Sequence, residues 1–119
     1  MISDEKLRKR EHLLAVRDFA RAYKKGRSSR EGFLVMYSIA NTLAYNRIGF
    51  SIGSKKVRRA TARNTLRRQL REAFRKNKQS VKKGYDLVLV VLRDPAKRPA
   101  YKMMERSYLS LINKNGLQC

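Results

Sequence analysis

The chain has 119 residues, a formal net charge of +21 and an isoelectric point near 11.0. This length predicts one domain over residues 1–119, with a core that needs no metal or disulfide staple. The charge points to nucleic acid, with binding that weakens steeply as salt rises, and an anionic membrane surface is the second reading. Several classes are disfavoured. The longest purely apolar run, Leu87 to Leu92, falls far short of the roughly 20 residues that span a bilayer. The polar N-terminus predicts no secretory signal, and the single cysteine, Cys119, leaves no intramolecular disulfide and fits a reducing cytoplasm.

Residues 1–11 carry too few apolar side chains to pack and are expected to be loose. Leu13 to Lys25 predicts a helix, with Leu13, Val16, Phe19, Ala20 and Tyr23 on one side and Gly26 as its stop. The Phe19/Tyr23 pair at i, i+4 fits a core contact, and it fits equally an aromatic patch that stacks unpaired nucleotides. After a polar loop, GRSSREG, Phe33 to Ala40 alternates as a strand. Asn41 to Asn46 reads as a loop. Arg47 to Gly53 then returns as an antiparallel strand with Ile48, Phe50 and Ile52 inward, and the small Gly49 and Ser51 leave room for something across the other face.

The stretch from Lys55 to Lys78 holds eleven of the thirty Lys and Arg residues and one acid, Glu72. A helix from Ala60 to Asn77 sorts these side chains. Leu66, Leu70, Ala73 and Phe74 share a core-facing stripe, while Arg63, Asn64, Arg67, Arg68, Arg71 and Arg75 fall on an adjacent arc of roughly 140°. The i, i+4 pairs Arg63/Arg67, Arg67/Arg71 and Arg71/Arg75 repel one another, which a merely solvated surface would avoid by mixing signs. A polyanion relieves that repulsion. Arginine suits phosphate in particular, because its planar fork gives paired hydrogen bonds to phosphate oxygens. Lys55 and Lys56 with Arg58 and Arg59 extend the basic surface ahead of the helix.

Lys82 to Gly84 marks a turn, and Asp86 to Arg93 predicts a strand buried on both faces. Pro99 suits a helix start, and the last helix runs from Ala100 to Asn113 with Tyr101, Met104, Tyr108, Leu111 and Ile112 on one stripe. The order α-β-β-α-β-α predicts an α/β two-layer sandwich. His12 is the only histidine and the nine acids are scattered, so no residue set for metal, nucleophile or general base is visible in the chain.

The segment FSIGSKKVRRATARNTLRRQLREAFR, between DFARAYKKG and DLVLVVLR, resembles the bacterial ribonuclease P protein component. The lysine pair and the Arg-Asn-x-x-x-Arg helix with its Arg-Glu-x-Phe ending correspond to Lys55, Lys56, Arg63, Asn64, Arg67, Arg68, Arg71, Glu72 and Phe74. Thr65 stands where that family usually has a third basic residue, and Gly53 reads as an extra residue before the lysines. The resemblance implies a left-handed crossover around the basic helix. It also implies a subunit that helps remove the 5′ leader from precursor tRNA, with the ribonuclease P RNA carrying the chemistry and binding the magnesium ions. No catalytic residue, metal, membrane or small-molecule substrate is then expected for the protein itself. Phe19, Tyr23 and Tyr37 match the aromatic positions of the family's leader cleft, and the basic helix would meet the catalytic RNA. A small ribosomal-type protein neutralising folded RNA is the alternative by charge alone. The Arg-Asn helix and the aromatic pair argue against it.

Overall fold

The computed structural model of the chain describes residues 7–95 and 97–119. Four strands, β1 (Arg27–Glu31), β2 (Leu34–Ala40), β3 (Arg47–Ser51) and β4 (Tyr85–Val91), form one sheet in the order β1-β2-β4-β3. Helix α1 (Val16–Lys25) precedes the sheet, α2 (Ala60–Lys76) joins β3 to β4, and α3 (Tyr101–Lys114) ends the fold. β4 runs antiparallel to β2 and parallel to β3, so α2 lies in a crossover between adjacent parallel strands.

Alternation along the strands divides the apolar side chains between two cores. Leu34, Met36, Ile48, Leu87, Leu89 and Val91 meet Leu66, Leu70, Ala73 and Phe74 of α2 and Met104, Tyr108, Leu111 and Ile112 of α3. Val88 faces the other way and joins Leu13 and Ala22, with Phe19, Tyr37, Ile39 and Val90 packed around them. The mixed α/β sandwich is therefore as expected, with α2 and α3 on one face of the sheet and α1 across the other. Both helical stripes read from the sequence face the core, with Tyr101 at the start of α3 only partly buried.

Three local expectations are corrected. The segment read as a polar loop contains β1, which pairs with β2 from Arg27↔Ser38 to Glu31↔Leu34. An edge strand that is wet on much of its surface needs no apolar alternation, and charged residues guard it against unwanted pairing. β2 and β3 are not neighbours, because β4 lies between them. Only β4 is apolar enough to be covered on both faces, and so it takes the middle. The first helix begins at Val16 rather than Leu13. The Leu13 N–H instead donates to the Ile48 carbonyl at 2.8 Å, which ties this residue to the edge of β3.

Of the segment expected to be loose, residues 1–6 lie outside the described residues, whereas the rest is packed. Leu7 lies against the main core, Lys9–Glu11 form a 3-10 turn, and the Glu11 carboxylate accepts from Lys78 Nζ at 2.9 Å. Apolar contact of Leu7 and the ion pair of Glu11 with Lys78 together fix this stretch.

Candidate nucleic-acid interface

Gly49 on β3 has no side chain, and Phe19 of α1 occupies the space. A Cβ at this position would stand 2.6 Å from Phe19 Cζ and 3.2 Å from Leu13 Cβ. One helical turn on, Tyr23 meets Tyr37 of β2 edge to face, with centroids 5.0 Å apart and planes at 82°. Phe19 and Tyr23 are 6.4 Å apart. The three aromatics named from the sequence thus form one row across the sheet face.

The row is accessible because α1 rests on Ala22, which is fully buried, leaving Tyr23 41% exposed. This corrects the expected apolar side of α1: Val16 is 83% exposed and Ala20 also faces solvent. With its start shifted past Leu13, the helix turns its narrow alanine to the sheet.

Beside Phe19 a groove of about 280 Å³ runs around the edge of β3, walled by Leu13, Leu14, Phe50 and, from α2, Arg67 and Arg71. Arg71 sets its guanidinium 5.9 Å from the Phe50 ring centroid, and its Nε is buried without a hydrogen-bond partner. Phe19, at one end of the aromatic row, therefore shares a groove with Arg67 and Arg71 of the arginine arc.

The remaining basic residues hold different tasks. Arg63 Nη1 donates to the carbonyls of Val57 and Arg58, both at 2.9 Å. With Val57 fully buried, these bonds pin the loop that presents Lys55, Lys56, Arg58 and Arg59, all four exposed. Arg63 is thus partly a support for the loop. Arg67 Nη1 donates to Asn64 Oδ1 at 2.9 Å, and Arg68 is exposed. Arg75 pairs with Glu72, whose carboxyl is held below its ordinary range chiefly by that hydrogen bond. Separate partners for successive arginines explain how the helix tolerates their like charge. Thr65, where a cation was expected, donates its hydroxyl to the Thr61 carbonyl at 3.0 Å. By the rise of a helix, Arg75 lies about 18 Å beyond Arg63, so the arc is a strip and not a single point.

A buried network that the sequence reading missed holds α1 over the sheet. Asp86, at the start of β4 and fully buried, accepts from Arg47 Nε and Nη2, each at 2.8 Å, and from Asn41 Nδ2 at 2.9 Å. Arg47 also lies 3.6 Å from Asp18 in the first turn of α1. The hydrogen bond to Asp86 is the main cause of a raised Arg47 pKa. An acid at the head of an otherwise apolar strand was the available signal, since such a group must find a partner as the strand is buried.

Among the described residues, no three His, Cys, Asp or Glu side chains come together as a metal site, and no helix is long and apolar enough to cross a membrane.

Comparison with known proteins gives the chain's family and fold relatives. Residues 7–116 match the family described as Ribonuclease P. The ribonuclease P protein component of Alkaliphilus metalliredigens is 38% identical over 117 residues, covering 98% of each chain. That of Clostridioides difficile is 37% identical over 101 residues, covering 84% of this chain and 87% of the relative. Among solved structures, the RNase P protein of Thermotoga maritima superposes with a TM-score of 0.77 at 32% identity, covering 87% of this chain and 96% of that one. The Staphylococcus aureus protein superposes with a TM-score of 0.79 at 27% identity, covering 90% and 96%. The chain belongs to the ribonuclease P protein component family.

Proposed function

We propose that this chain is the protein subunit of ribonuclease P and grips two parts of its RNA partners at once. The 5′ leader of precursor tRNA lies along Phe19, Tyr23 and Tyr37. The exposed loop Lys55, Lys56, Arg58 and Arg59, together with Arg63, Asn64, Arg67, Arg68, Arg71 and Arg75, meets the ribonuclease P RNA and the phosphates near the cleavage site. The observation that carries this reading is the row of Phe19, Tyr23 and Tyr37, whose Phe19 lines the same groove as Arg67 and Arg71.

The chemistry of each surface suits its ligand. Aromatic faces take unpaired bases whatever their sequence, each stacked base contributing about 1–3 kcal/mol. Arginine forks neutralise phosphate and release counterions, which makes binding salt-dependent. Leader removal is an endoribonuclease reaction of the whole assembly. Its chemistry belongs to the RNA subunit with magnesium ions bound there, in a cytoplasmic enzyme. The protein supplies affinity and alignment, which hold the scissile bond where the RNA acts.

Tyr23→Ala tests the leader surface. Precursor tRNA binding to the reconstituted assembly should weaken by about 5- to 150-fold, the equivalent of one lost stacking contact. Binding of mature tRNA, which has no leader, should be unchanged. Equal losses for the two RNAs would refute a leader site at Tyr23.

A further inference from the structure

On the far flank of α2 from the groove beside Phe19, a cavity of about 530 Å³ lies between that helix and the segment leading into α3. The two have no lining residue in common. At about 100° per residue, Thr65 stands roughly 120–160° around the helix from Arg71 and Arg67, with the exposed Asn64 and Arg68 on the arc between. The volume falls within the roughly 300–1,000 Å³ of small-molecule sites. One wall is fixed in advance: Gln69 Nε2 donates to the carbonyl of the buried Pro99 at 2.7 Å, which ties the segment before α3 to α2.

The lining has three kinds of surface. Leu66, Pro95 and Pro99 are apolar, Arg59 and Arg98 are exposed cations, and Asp94 is the single acid. Among the described residues the exposed Asp94 carboxylate takes part in no hydrogen bond or ion pair, so both of its oxygens are left to accept. Thr65 keeps the cavity open. It lines the space with a short side chain whose hydroxyl donates to the Thr61 carbonyl, where a lysine or arginine would reach into it.

Each surface has a counterpart in one nucleotide. Apolar side chains cover the faces of a base, and guanidinium groups pair with a phosphate. The carboxylate decides which base. Guanine alone presents two adjacent N–H donors, N1–H and N2–H, on its Watson–Crick edge, and these match the two acceptors of a carboxylate. Adenine and cytosine offer a donor beside an acceptor, which would face a carboxylate oxygen.

We infer that this cavity holds one unpaired guanosine of the ribonuclease P RNA, with Asp94 reading the guanine edge and Arg59 and Arg98 pairing with its phosphates. This rests on the reading that α2 and the loop before it meet that RNA, since Arg59 belongs to both the loop and the cavity. Asp94 is then a specificity-determining residue on a chain whose other contacts to this RNA are made by cations.

The first test titrates the full chain with guanosine 5′-monophosphate and, separately, adenosine 5′-monophosphate, while backbone amide resonances are followed by NMR. The amides of Thr65, Asp94 and Arg98 should shift and saturate, with the guanine nucleotide binding roughly tenfold tighter. Asp94→Asn, a nearly isosteric change at an exposed position, should weaken binding of the guanine nucleotide by roughly tenfold or more, the loss of hydrogen bonds to a charged group. It should also erase the preference over adenine, for which an amide is the better partner. Equal responses to the two nucleotides in the parent would mean attraction of phosphate alone and would overturn the inference. The second test uses kethoxal, which reacts with N1 and the exocyclic amine of unpaired guanine. Binding of the chain should protect a guanine of the ribonuclease P RNA, and Asp94→Asn should restore its reactivity. If the chain binds the RNA but Asp94→Asn exposes no guanine, this inference falls while the proposed function stands. If the chain does not bind the RNA at all, both fall.

Discussion

Replacing Gly49 with alanine should disturb the proposed leader surface from beneath. The added methyl would lie 2.6 Å from Phe19 Cζ, against a normal carbon–carbon contact of about 3.5–4.0 Å, so the ring must move by roughly 1 Å. Leu13 Cβ, at 3.2 Å, closes one direction of escape. Forcing a methyl into a packed site costs about 1–3 kcal/mol, which should appear as a lower melting temperature. Lifting Phe19 breaks the line with Tyr23 and Tyr37, so precursor tRNA should bind more weakly by up to the roughly 1–3 kcal/mol of one stacked base. Thermal denaturation and binding of precursor and mature tRNA by the reconstituted assembly measure both effects. If the variant melts lower but binds precursor as tightly as the parent, Phe19 does not contact the leader. If it melts unchanged, Phe19 does not fill the space above Gly49.

Two further outcomes bear on the basic strip and the buried network. Changing Arg67 and Arg68 together to alanine should lower the slope of log affinity for the ribonuclease P RNA against log salt by about one unit per lost phosphate contact; an unchanged slope would remove both from the interface. Asp86→Ala leaves Arg47 without its main partner in a partly buried setting, and breaking such a pair costs on the order of 3–5 kcal/mol. Urea denaturation should register that loss, and a change below about 1 kcal/mol would place Asp86 outside the stabilising network.

The elements most legible in the sequence were those whose own side chains settle their burial. Leu66, Leu70, Ala73 and Phe74 mark α2 by spacing alone, and the unbroken apolar run of β4 announces a strand covered on both faces. β1 was hidden because an exposed edge gains its stability from backbone pairing with β2, to which the residues RSSRE give no periodic clue. Strand order was hidden for a related reason: β2 and β3 are consecutive in the chain, yet the more apolar β4 takes the place between them. The aromatic trio was readable through resemblance, whereas its support was not. That Gly49 makes space for Phe19, and that Arg47 links Asp86 to Asp18, are contacts between residues distant in the chain. The arginine arc was visible as charge, while the pinning of the lysine loop by Arg63 emerges only from the fold.

Combining the chain with a bacterial ribonuclease P RNA at low magnesium, and following removal of the 5′ leader from precursor tRNA, tests the central claim most directly. Low magnesium leaves the RNA phosphates poorly screened, the condition in which a protein of net charge +21 has most to contribute. Leader removal should be faster with the protein than with the RNA alone, and the gain should shrink with Tyr23→Ala. No acceleration by a protein shown to be folded would contradict the assignment.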